Sequence, residues 1–541
     1  MTFVDTIGLL LPQPCDAAAG RIAEVFVRQV AERCPAKVAI GRRGPTTVEL
    51  CLEQGCPAEG FRIESGPGTA QTICITSSDR LGLLYGVGKF LHTSQYDTRG
   101  FTASSWRGSS APECPLRGIY LATHFNNFYE AAPAEKVERY IEDLALWGLN
   151  AIMVHFPTHQ FAGLDDPAAQ VNLQQIRDLL NTAKRIGLRT TLGQCANQGA
   201  KDAPQELLAA AFPDDWKRRG TLGVNVCPSR PAGHDYLRKL YRRLFEELGD
   251  VGLDYLSLGP YDEGGCGCPT CWPWGARGYP KLSRELAAIA REQYPQLKLI
   301  LFTWMFDTPP AGEWEGLAAL LARDAGWVDY IMADAHEDFP PYPLTCGVPG
   351  SLPLVNFPEI SMWGMSPWGG FGANPLPRRL QRLWNQVRHT ISGGFPYSEG
   401  IYEDINKVIC AQFQWQKDRP AQDILREYVS FEYSPEAADD LLAAIEILEN
   451  NHPRRKVPEK LVDAGKAFDL VDRAGQRLSP QAGNAWRWRI LYLRALIDRE
   501  FEQNGGKLQG SALRGAFAEL RGIYHVNDRT LGAVLPPEVK A

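Results

Sequence analysis

The sequence predicts a protein of the α/β class built around a (β/α)8 barrel, with an N-terminal α+β domain and a C-terminal helical domain. Three observations lead to this prediction. A chain of 541 residues with 44% hydrophobic residues is too long for one small core. Eight short apolar runs alternate with amphipathic helical stretches between about residues 116 and 400, which favours a barrel over a doubly wound open sheet. Beyond about residue 415 only helical periodicity remains.

The N-terminal domain is predicted for residues 1–112. Its β-rich runs are TTVELCLEQG and GFRIESG. In the following segment, TICITSSDRLGLLYGVGKFL, a strand leads into a helix rich in small residues. The loop RGSSAPECP, rich in Gly, Ser and Pro, closes this domain near Pro115.

The barrel is predicted for residues 113–412. Its eight candidate strands are RGIYLAT, NAIMVHF, LRTTLGQ, LDYLSLG, LKLILFTW, VDYIMAD, LPLVNFP and GGFPYSEG. The helices between them include EKVERYIEDLALWG, LQQIRDLLNTAKRIG and RELAAIAREQY. The helical domain, predicted for residues 413–541, contains AADDLLAAIEILENN, EKLVDAGKAFDLVDRAG and WRWRILYLRALIDREFEQ.

Charge and hydropathy exclude two classes of partner. The net charge of −6 provides no basic field for nucleic acid. The N-terminal apolar run is far shorter than the about 20 residues that a membrane span requires, and no basic segment precedes it. We therefore expect a cytoplasmic protein that does not bind a membrane, and whether it forms a homo-oligomer stays open.

Carboxylates and aromatic side chains follow the predicted strands. In a (β/α)8 barrel the active site lies at the C-terminal ends of the strands. The residues found there are His155, His159, Gln160, Tyr261, Asp262, Glu263, Trp304, Asp307, Asp334, His336, Glu337, Glu359, Trp363, Trp368, Tyr397 and Glu399. Carboxylates beside Trp and Tyr suit the cleavage of sugars, because a glycosidase needs a protonated carboxyl and a second group at the anomeric carbon.

Some of these acids have a simpler explanation, since Asp and Glu also cap helices. We assign that role to Asp307 and Asp338. The pair Asp262–Glu263 precedes the loop sequence GGCGCPTC, which has no helical pattern to cap. Four histidines are either sugar ligands or ordinary core residues: His124, His155, His159 and His336.

Three of the thirteen cysteines, Cys266, Cys268 and Cys271, lie within six residues. Zinc takes four ligands in a tetrahedron, and Cys227 is the predicted fourth because the loops after strands three and four are neighbours in a barrel. Four thiolates leave no position for substrate, so the predicted zinc is structural. The alternative is free thiols or a disulfide, and no cofactor is expected for catalysis.

The segment GFRIESGPGTAQTICITSSDRLGLLYGVGKFL resembles the small domain that precedes the barrel in family-20 β-N-acetylhexosaminidases and family-67 α-glucuronidases. LRGIYLATHF and NAIMVHFPTHQF resemble the first two barrel strands of those enzymes, and LGPYDEGG resembles the Asp-Glu pair of the hexosaminidases. The resemblance implies that Arg117 holds sugar hydroxyls, that Asp262 orients a 2-acetamido group, and that Glu263 is general acid and then base.

The sequence also departs from the family pattern. Ala122 and Phe125 replace the aspartate and second arginine that usually follow the Arg-Gly pair, and the acidic residue expected beside Gln160 is missing. The resemblance therefore supports fold and reaction class better than substrate.

The predicted function is an exo-acting glycoside hydrolase, a retaining hexosaminidase-like enzyme that uses substrate assistance on an oligosaccharide or glycoside. Arg117, His155, Tyr261, Trp304, Glu359, Trp363, Tyr397 and Glu399 are the predicted substrate-binding residues. One alternative is an inverting α-glucuronidase-like enzyme, with Glu263 as acid and Glu359 or Glu399 as base. A second is a non-catalytic carbohydrate-binding barrel, although the many acids at strand ends argue against it.

Overall fold

The N-terminal part of the chain folds as a mixed sheet with two helices. The computed structural model describes residues 3–67, 71–124, 128–214, 224–261, 264–361, 372–452, 460–526 and 537–540. The first ten elements are β1 (Thr6–Leu10), α1 (Ala17–Ala31), β2 (Lys37–Ile40), β3 (Thr46–Leu52), β4 (Phe61–Ser65), β5 (Gln71–Ser77), α2 (Arg80–His92), β6 (Gln95–Asp97), β7 (Gly100–Thr102) and β8 (Gly108–Ser110). The six-stranded sheet has the order β2-β1-β3-β5-β4-β8, and β6 pairs with β7.

Aspartate side chains begin both helices of this domain. Asp16 accepts a hydrogen bond from the backbone N–H of Ala19, and Asp79 does the same for Gly82. These bonds satisfy backbone donors that the first turn of a helix leaves without a partner.

A closed parallel barrel follows, as the sequence predicts. Its strands are β9 (Leu116–Leu121), β10 (Ala151–His155), β11 (Arg189–Cys195), β12 (Tyr255–Gly259), β13 (Lys298–Phe302), β14 (Tyr330–Ala335), β15 (Leu354–Pro358), and an eighth strand in two pieces, β16 (Ile391–Gly394) and β17 (Tyr397–Ser398). Each strand pairs in parallel with the next, and β9 closes the barrel against β10 on one side and β16 and β17 on the other. Buried on both faces, β10, β12 and β15 are the apolar runs seen in the sequence.

Helices cover the outside of the barrel. They are α3 (Phe128–Ala131), α4 (Ala134–Leu146), α5 (Pro167–Arg185), α6 (Pro231–Glu247), α7 (Gly278–Gln293), α8 (Glu313–Leu321), α9 (Pro341–Thr345), α10 (Pro377–Val387) and α11 (Asp404–Trp415). The last barrel helix thus runs past position 412, where we placed the end of this domain.

The remaining described residues are mainly helical. The elements are α12 (Ala421–Glu432), α13 (Ala438–Asn450), α14 (Ala464–Gly475), α15 (Pro480–Asn484), α16 (Trp486–Gln503) and α17 (Ser511–Tyr524). Arg487 of α16 is bonded to Asp404 at the start of α11 and to Asp143 of α4, so a buried ion pair joins these helices to the barrel. None of the helices in the described part of the chain is long and apolar enough to cross a membrane.

Candidate active site

The C-terminal ends of the barrel strands bring together five of the predicted site residues. His155 ends β10, Trp304 follows β13, Glu359 follows β15, Tyr397 lies in β17, and Glu399 follows it. All but Tyr397, which is half-buried, are at most 8% exposed. Because parallel strands end at one mouth, residues far apart in sequence meet there.

Two carboxylates lie on neighbouring strand ends, since Glu359 forms a β-bridge with Tyr397. The backbone N–H of Ser361 donates to Oε1 of Glu359 at 2.8 Å. Nε2 of His336 lies 3.4 Å from Oε2 of Glu359, and Nδ1 of the same ring contacts Asp334. The imidazole therefore lies between two carboxylates and orients Glu359.

Glu399 is held in a buried, acidic environment. Burial, together with the negative charges of Glu359 and Glu403, raises the pKa of Glu399 well above its usual range. Its carboxyl oxygens accept hydrogen bonds from Tyr397 (3.0 Å) and Tyr402 (3.2 Å), and its backbone N–H donates to Glu403 at 2.9 Å. Glu399 therefore holds its proton to a higher pH than an ordinary glutamate does.

A second buried pair, Glu403 just before α11 and Lys407 within it, lies beside Glu399. Nζ of Lys407 is 3.8 Å from Oε2 of Glu403, and both side chains are fully buried. Burial raises the pKa of Glu403 to about 7, and burial lowers that of Lys407 to about 8. The two groups thus titrate near neutrality.

Aromatic rings form one wall of the mouth. The rings of Tyr120 and Tyr397 stack at 5.3 Å between centroids, as expected for residues in register on neighbouring strands. Phe357 lies 5.5 Å from Tyr120 and 4.8 Å from Phe302. Trp304 meets the ring of His336 edge-on at 4.1 Å. Such faces suit stacking against sugar rings.

His155 donates a hydrogen bond from a defined ring nitrogen. Its Nδ1 lies 2.9 Å from the carbonyl oxygen of Gly193, which can only accept a hydrogen bond. Nδ1 therefore carries a proton and donates a hydrogen bond to this carbonyl oxygen. The ring of His124 packs edge-on against it at 4.9 Å.

Arg117 does not lie at the mouth, and its predicted contact with sugar hydroxyls is wrong. The residue opens β9 and is paired with Gly394, so it lies at the N-terminal end of the barrel, whereas Glu399 follows the C-terminal end of β17. Its side chain is fully buried and bonded to Glu59, at 2.5 Å, in the N-terminal domain. The strand itself was predicted correctly, but Arg117 is the second residue of β9, and the first residues of a strand lie at the opposite end of the barrel from the residues that follow the strand.

Three further predictions need correction. Tyr261 was predicted to bind substrate, but it is 1% exposed. Its hydroxyl donates to Glu313 at the start of α8, so the side chain packs against that helix. Asp307 caps no helix and accepts from the indole N–H of Trp314 at 3.2 Å. Asp338 pairs with Arg382 instead of capping α9.

The predicted catalytic pair, Asp262 and Glu263, lies outside the described residues, as do Trp363 and Trp368. In the sequence, the pair stands between the described residues Tyr261 and Gly264, after strand β12, which ends at Gly259. The catalytic roles of Asp262 and Glu263 therefore stay a prediction.

The four predicted zinc ligands do come together. The sulfur atoms of Cys227, Cys266, Cys268 and Cys271 all lie within 4.8 Å of one another. The Sγ atoms of Cys227 and Cys268 are 3.8 Å apart.

Sequence reasoning missed Arg379 and the pair Glu403–Lys407. Arg379 of α10 donates to the backbone oxygen of Glu359 at 2.8 Å and to that of His336, so it holds two strand ends together. Nothing in its sequence context marks it. Glu399, Glu403 and Lys407 are spaced by four residues, and this helical spacing could have indicated the buried pair.

Comparison with known proteins extends the fold assignment. No protein-family model and no curated protein matches this chain. Among solved structures, a family GH115 4-O-methyl-α-glucuronidase with specificity for decorated arabinogalactans is 11% identical, with a TM-score of 0.61 over 96% of this chain and 76% of its own. A family GH89 enzyme from Clostridium perfringens is 11% identical, with a TM-score of 0.62 over 94% of this chain and 64% of its own.

A family GH20 exo-β-N-acetylglucosaminidase from Vibrio harveyi is 15% identical, with a TM-score of 0.52 over 83% of this chain and 75% of its own. At these identities the likeness is one of fold. The predicted resemblance in fold to the family-20 enzymes is confirmed, and an α-glucuronidase is again among the similar structures.

Proposed function

We propose that this protein is an exo-acting glycoside hydrolase whose active site is the C-terminal mouth of the barrel. The observation that carries the proposal is the placement of Glu359 and Glu399 on neighbouring strand ends, beside Tyr397 and Trp304. Glycosidases need a protonated carboxyl for the leaving oxygen and a second group at the anomeric carbon, with aromatic faces to hold the sugar. The likeness in fold to three glycoside hydrolase families agrees with this reaction class.

The leading mechanism is retaining and uses the substrate's own 2-acetamido group. Glu263 would protonate the leaving oxygen, and Asp262 would orient the acetamido group so that its carbonyl oxygen attacks the anomeric carbon. The place of the pair in the sequence, shortly after the end of β12, supports these roles. Two of the similar structures were solved with related sugars, the GH89 enzyme with GlcNAc-α-1,4-galactose and the GH20 enzyme with N-acetylglucosamine.

A second mechanism is inverting, the alternative that follows from the sequence resemblance to α-glucuronidases. The favouring observation is the contact of His336 with both Glu359 and Asp334, which orients a carboxylate that could activate water. Glu399 is the weaker candidate for this base, because a carboxyl whose pKa is raised by burial holds its proton. Glu359 and Glu263 would need to lie about 6.5–9.5 Å apart to admit the water.

The test screens aryl glycosides of GlcNAc, GalNAc, GlcA and neutral hexoses, and follows the first anomer released by NMR. The leading mechanism predicts cleavage of a 2-acetamido glycoside with retention, and a loss of about 100-fold or more in kcat for Asp262→Asn. The inverting mechanism predicts the opposite anomer and a comparable loss for Glu359→Gln.

Glu315→Gln is the matched control, because Glu315 is an exposed acid on α8. Its activity should equal that of the wild type. If the folded wild type hydrolyses none of the glycosides yet binds a sugar in calorimetry, the enzymatic proposal is wrong and the barrel is a binding protein.

A further inference from the structure

Four cysteine side chains meet between two barrel loops. Cys227 belongs to the loop between β11 and α6, and Cys266, Cys268 and Cys271 belong to the loop between β12 and α7. Cys227, Cys266 and Cys271 are buried, and Cys268 is partly exposed. The cysteines belong to other loops than Glu359 and Glu399, and neither proposed mechanism uses them.

The spacing of the sulfur atoms fits a metal tetrahedron better than disulfides. Four sulfurs at about 2.3 Å from a central zinc ion lie about 3.8 Å from one another along each tetrahedral edge. The Sγ atoms of Cys227 and Cys268 are 3.8 Å apart, and all four lie within 4.8 Å. A disulfide would bring two of them to about 2.05 Å.

The surroundings of the sulfurs provide hydrogen-bond donors. The hydroxyl of Ser229 lies 3.1 Å from Sγ of Cys227 and 3.2 Å from Sγ of Cys268. Backbone N–H groups of Cys268 and Ala210 face the sulfur of Cys266. Donors of this kind stabilise the negative charge of metal-bound thiolates and orient them.

The two loops are joined independently of any metal. The side-chain amide of Asn197, which follows β11, donates to the carbonyl oxygens of Val226 (3.0 Å) and Gly265 (2.9 Å) and accepts from the N–H of Gly265 at 2.7 Å. These bonds hold the residues next to Cys227 and Cys266 in place. The ligands are therefore positioned by the fold and need little reorganisation to bind an ion.

Gly267, between the first two cysteines of the strand-four loop, is required by close packing. A Cβ at this position would lie 2.0 Å from the carbonyl oxygen of Ala211. Only glycine lets the segment before Cys227 lie this close to the cysteine loop.

We propose that Cys227, Cys266, Cys268 and Cys271 bind one Zn²⁺ in a closed structural site that joins the loops after the third and fourth barrel strands. Four thiolates complete the tetrahedron and leave no position for a substrate, so the ion takes no part in chemistry. Its effect is to cross-link the segment that begins directly after Asp262 and Glu263 to the neighbouring loop. Iron also accepts four sulfur ligands, and the test below separates the two metals.

The test measures metal in the full-length protein, expressed in medium with zinc and iron and purified without chelator. Elemental analysis should find about one zinc and no stoichiometric iron per chain, and X-ray absorption should find four sulfur neighbours at about 2.3 Å. Cys268→Ser, at the partly exposed ligand, should lower the zinc content at least about tenfold and lower the melting temperature. Cys346→Ser is the matched control, because Cys346 is an exposed cysteine outside the cluster. This variant should have the zinc content and the melting temperature of the wild type.

If Cys268→Ser does not fold, titration of the thiols in the wild-type protein tests the same proposal. Mercurial modification of the thiols should release the zinc as four thiols react. Wild-type protein that holds no zinc, that holds iron instead, or whose cluster thiols are oxidised to disulfides overturns the proposal. So does a Cys268→Ser variant that keeps a full complement of zinc.

Discussion

Replacing Arg117 with methionine should destabilise the fold and leave the sugar site intact. The guanidinium donates to the carbonyl oxygens of Gly148 (2.7 Å) and Cys114 (2.9 Å) and to the carboxylate of Glu59. Its planar group lies 5.3 Å from the ring centres of both Tyr85 and Trp415. Every polar contact described for this side chain is therefore internal.

The magnitude follows from what the substitution leaves behind. Removing one partner of a buried ion pair costs about 3–5 kcal/mol, because the other charge stays buried. Glu59 keeps two partners, Arg189 at 2.7 Å and the side-chain amide of Asn150 at 2.9 Å. The expected loss in the free energy of unfolding is therefore at the lower end, about 3 kcal/mol, since methionine preserves most of the buried volume.

Urea denaturation followed by circular dichroism measures this loss. Arg189→Met is the matched control, because it removes an arginine from the same carboxylate but one whose side chain is 35% exposed. It should cost about 1 kcal/mol or less. If Arg117→Met unfolds at the wild-type midpoint but loses sugar binding or turnover, then the structural role is refuted and the role implied by the sequence resemblance is restored.

Two further predictions concern Glu403, the buried acid just before α11, and Gly267 of the cysteine loop. Because the pKa of Glu403 is raised from 4.5 to about 7 in the folded protein, the folded state binds the extra proton and stability should fall by about 3 kcal/mol as pH rises from about 4.5 to 7. Glu403→Gln should flatten this part of the pH–stability curve, and an unchanged curve contradicts the assignment. Gly267→Ala should lower the melting temperature and the bound zinc, because its Cβ would meet a backbone oxygen at 2.0 Å, whereas Gly163→Ala, where a Cβ meets nothing within 4 Å, should change neither.

The barrel could be predicted because its signal is local. Strands β10, β12 and β15 are buried on both faces and therefore appear as apolar runs, and the covering helices show a helical periodicity. The same logic found Glu359, Trp304, Tyr397 and Glu399, since a residue that follows a strand lies at the mouth. It failed for Arg117, which lies at the N-terminal end of β9, and for Tyr261, whose side chain packs against α8.

The acids assigned as helix caps show a different limit. Asp307 and Asp338 have the residue type and position of caps, but each finds a partner on another segment, Trp314 and Arg382 respectively. Capping preference is a tendency of about 1 kcal/mol, and a tertiary contact of similar strength can replace it. Sequence position alone does not decide between the two.

The sequence by itself determined the alternation of strands and helices, the acidic and aromatic character of the strand ends, and the spacing of Cys266, Cys268 and Cys271. Only the tertiary structure brought Cys227, the predicted fourth ligand, to the other three sulfurs, and placed Glu359 and Glu403 where their charges raise the pKa of Glu399. The physical reason is that strand and helix patterns arise from neighbours in the chain. Metal geometry and the pKa of a buried acid depend on distances of a few ångströms between atoms that only folding brings together.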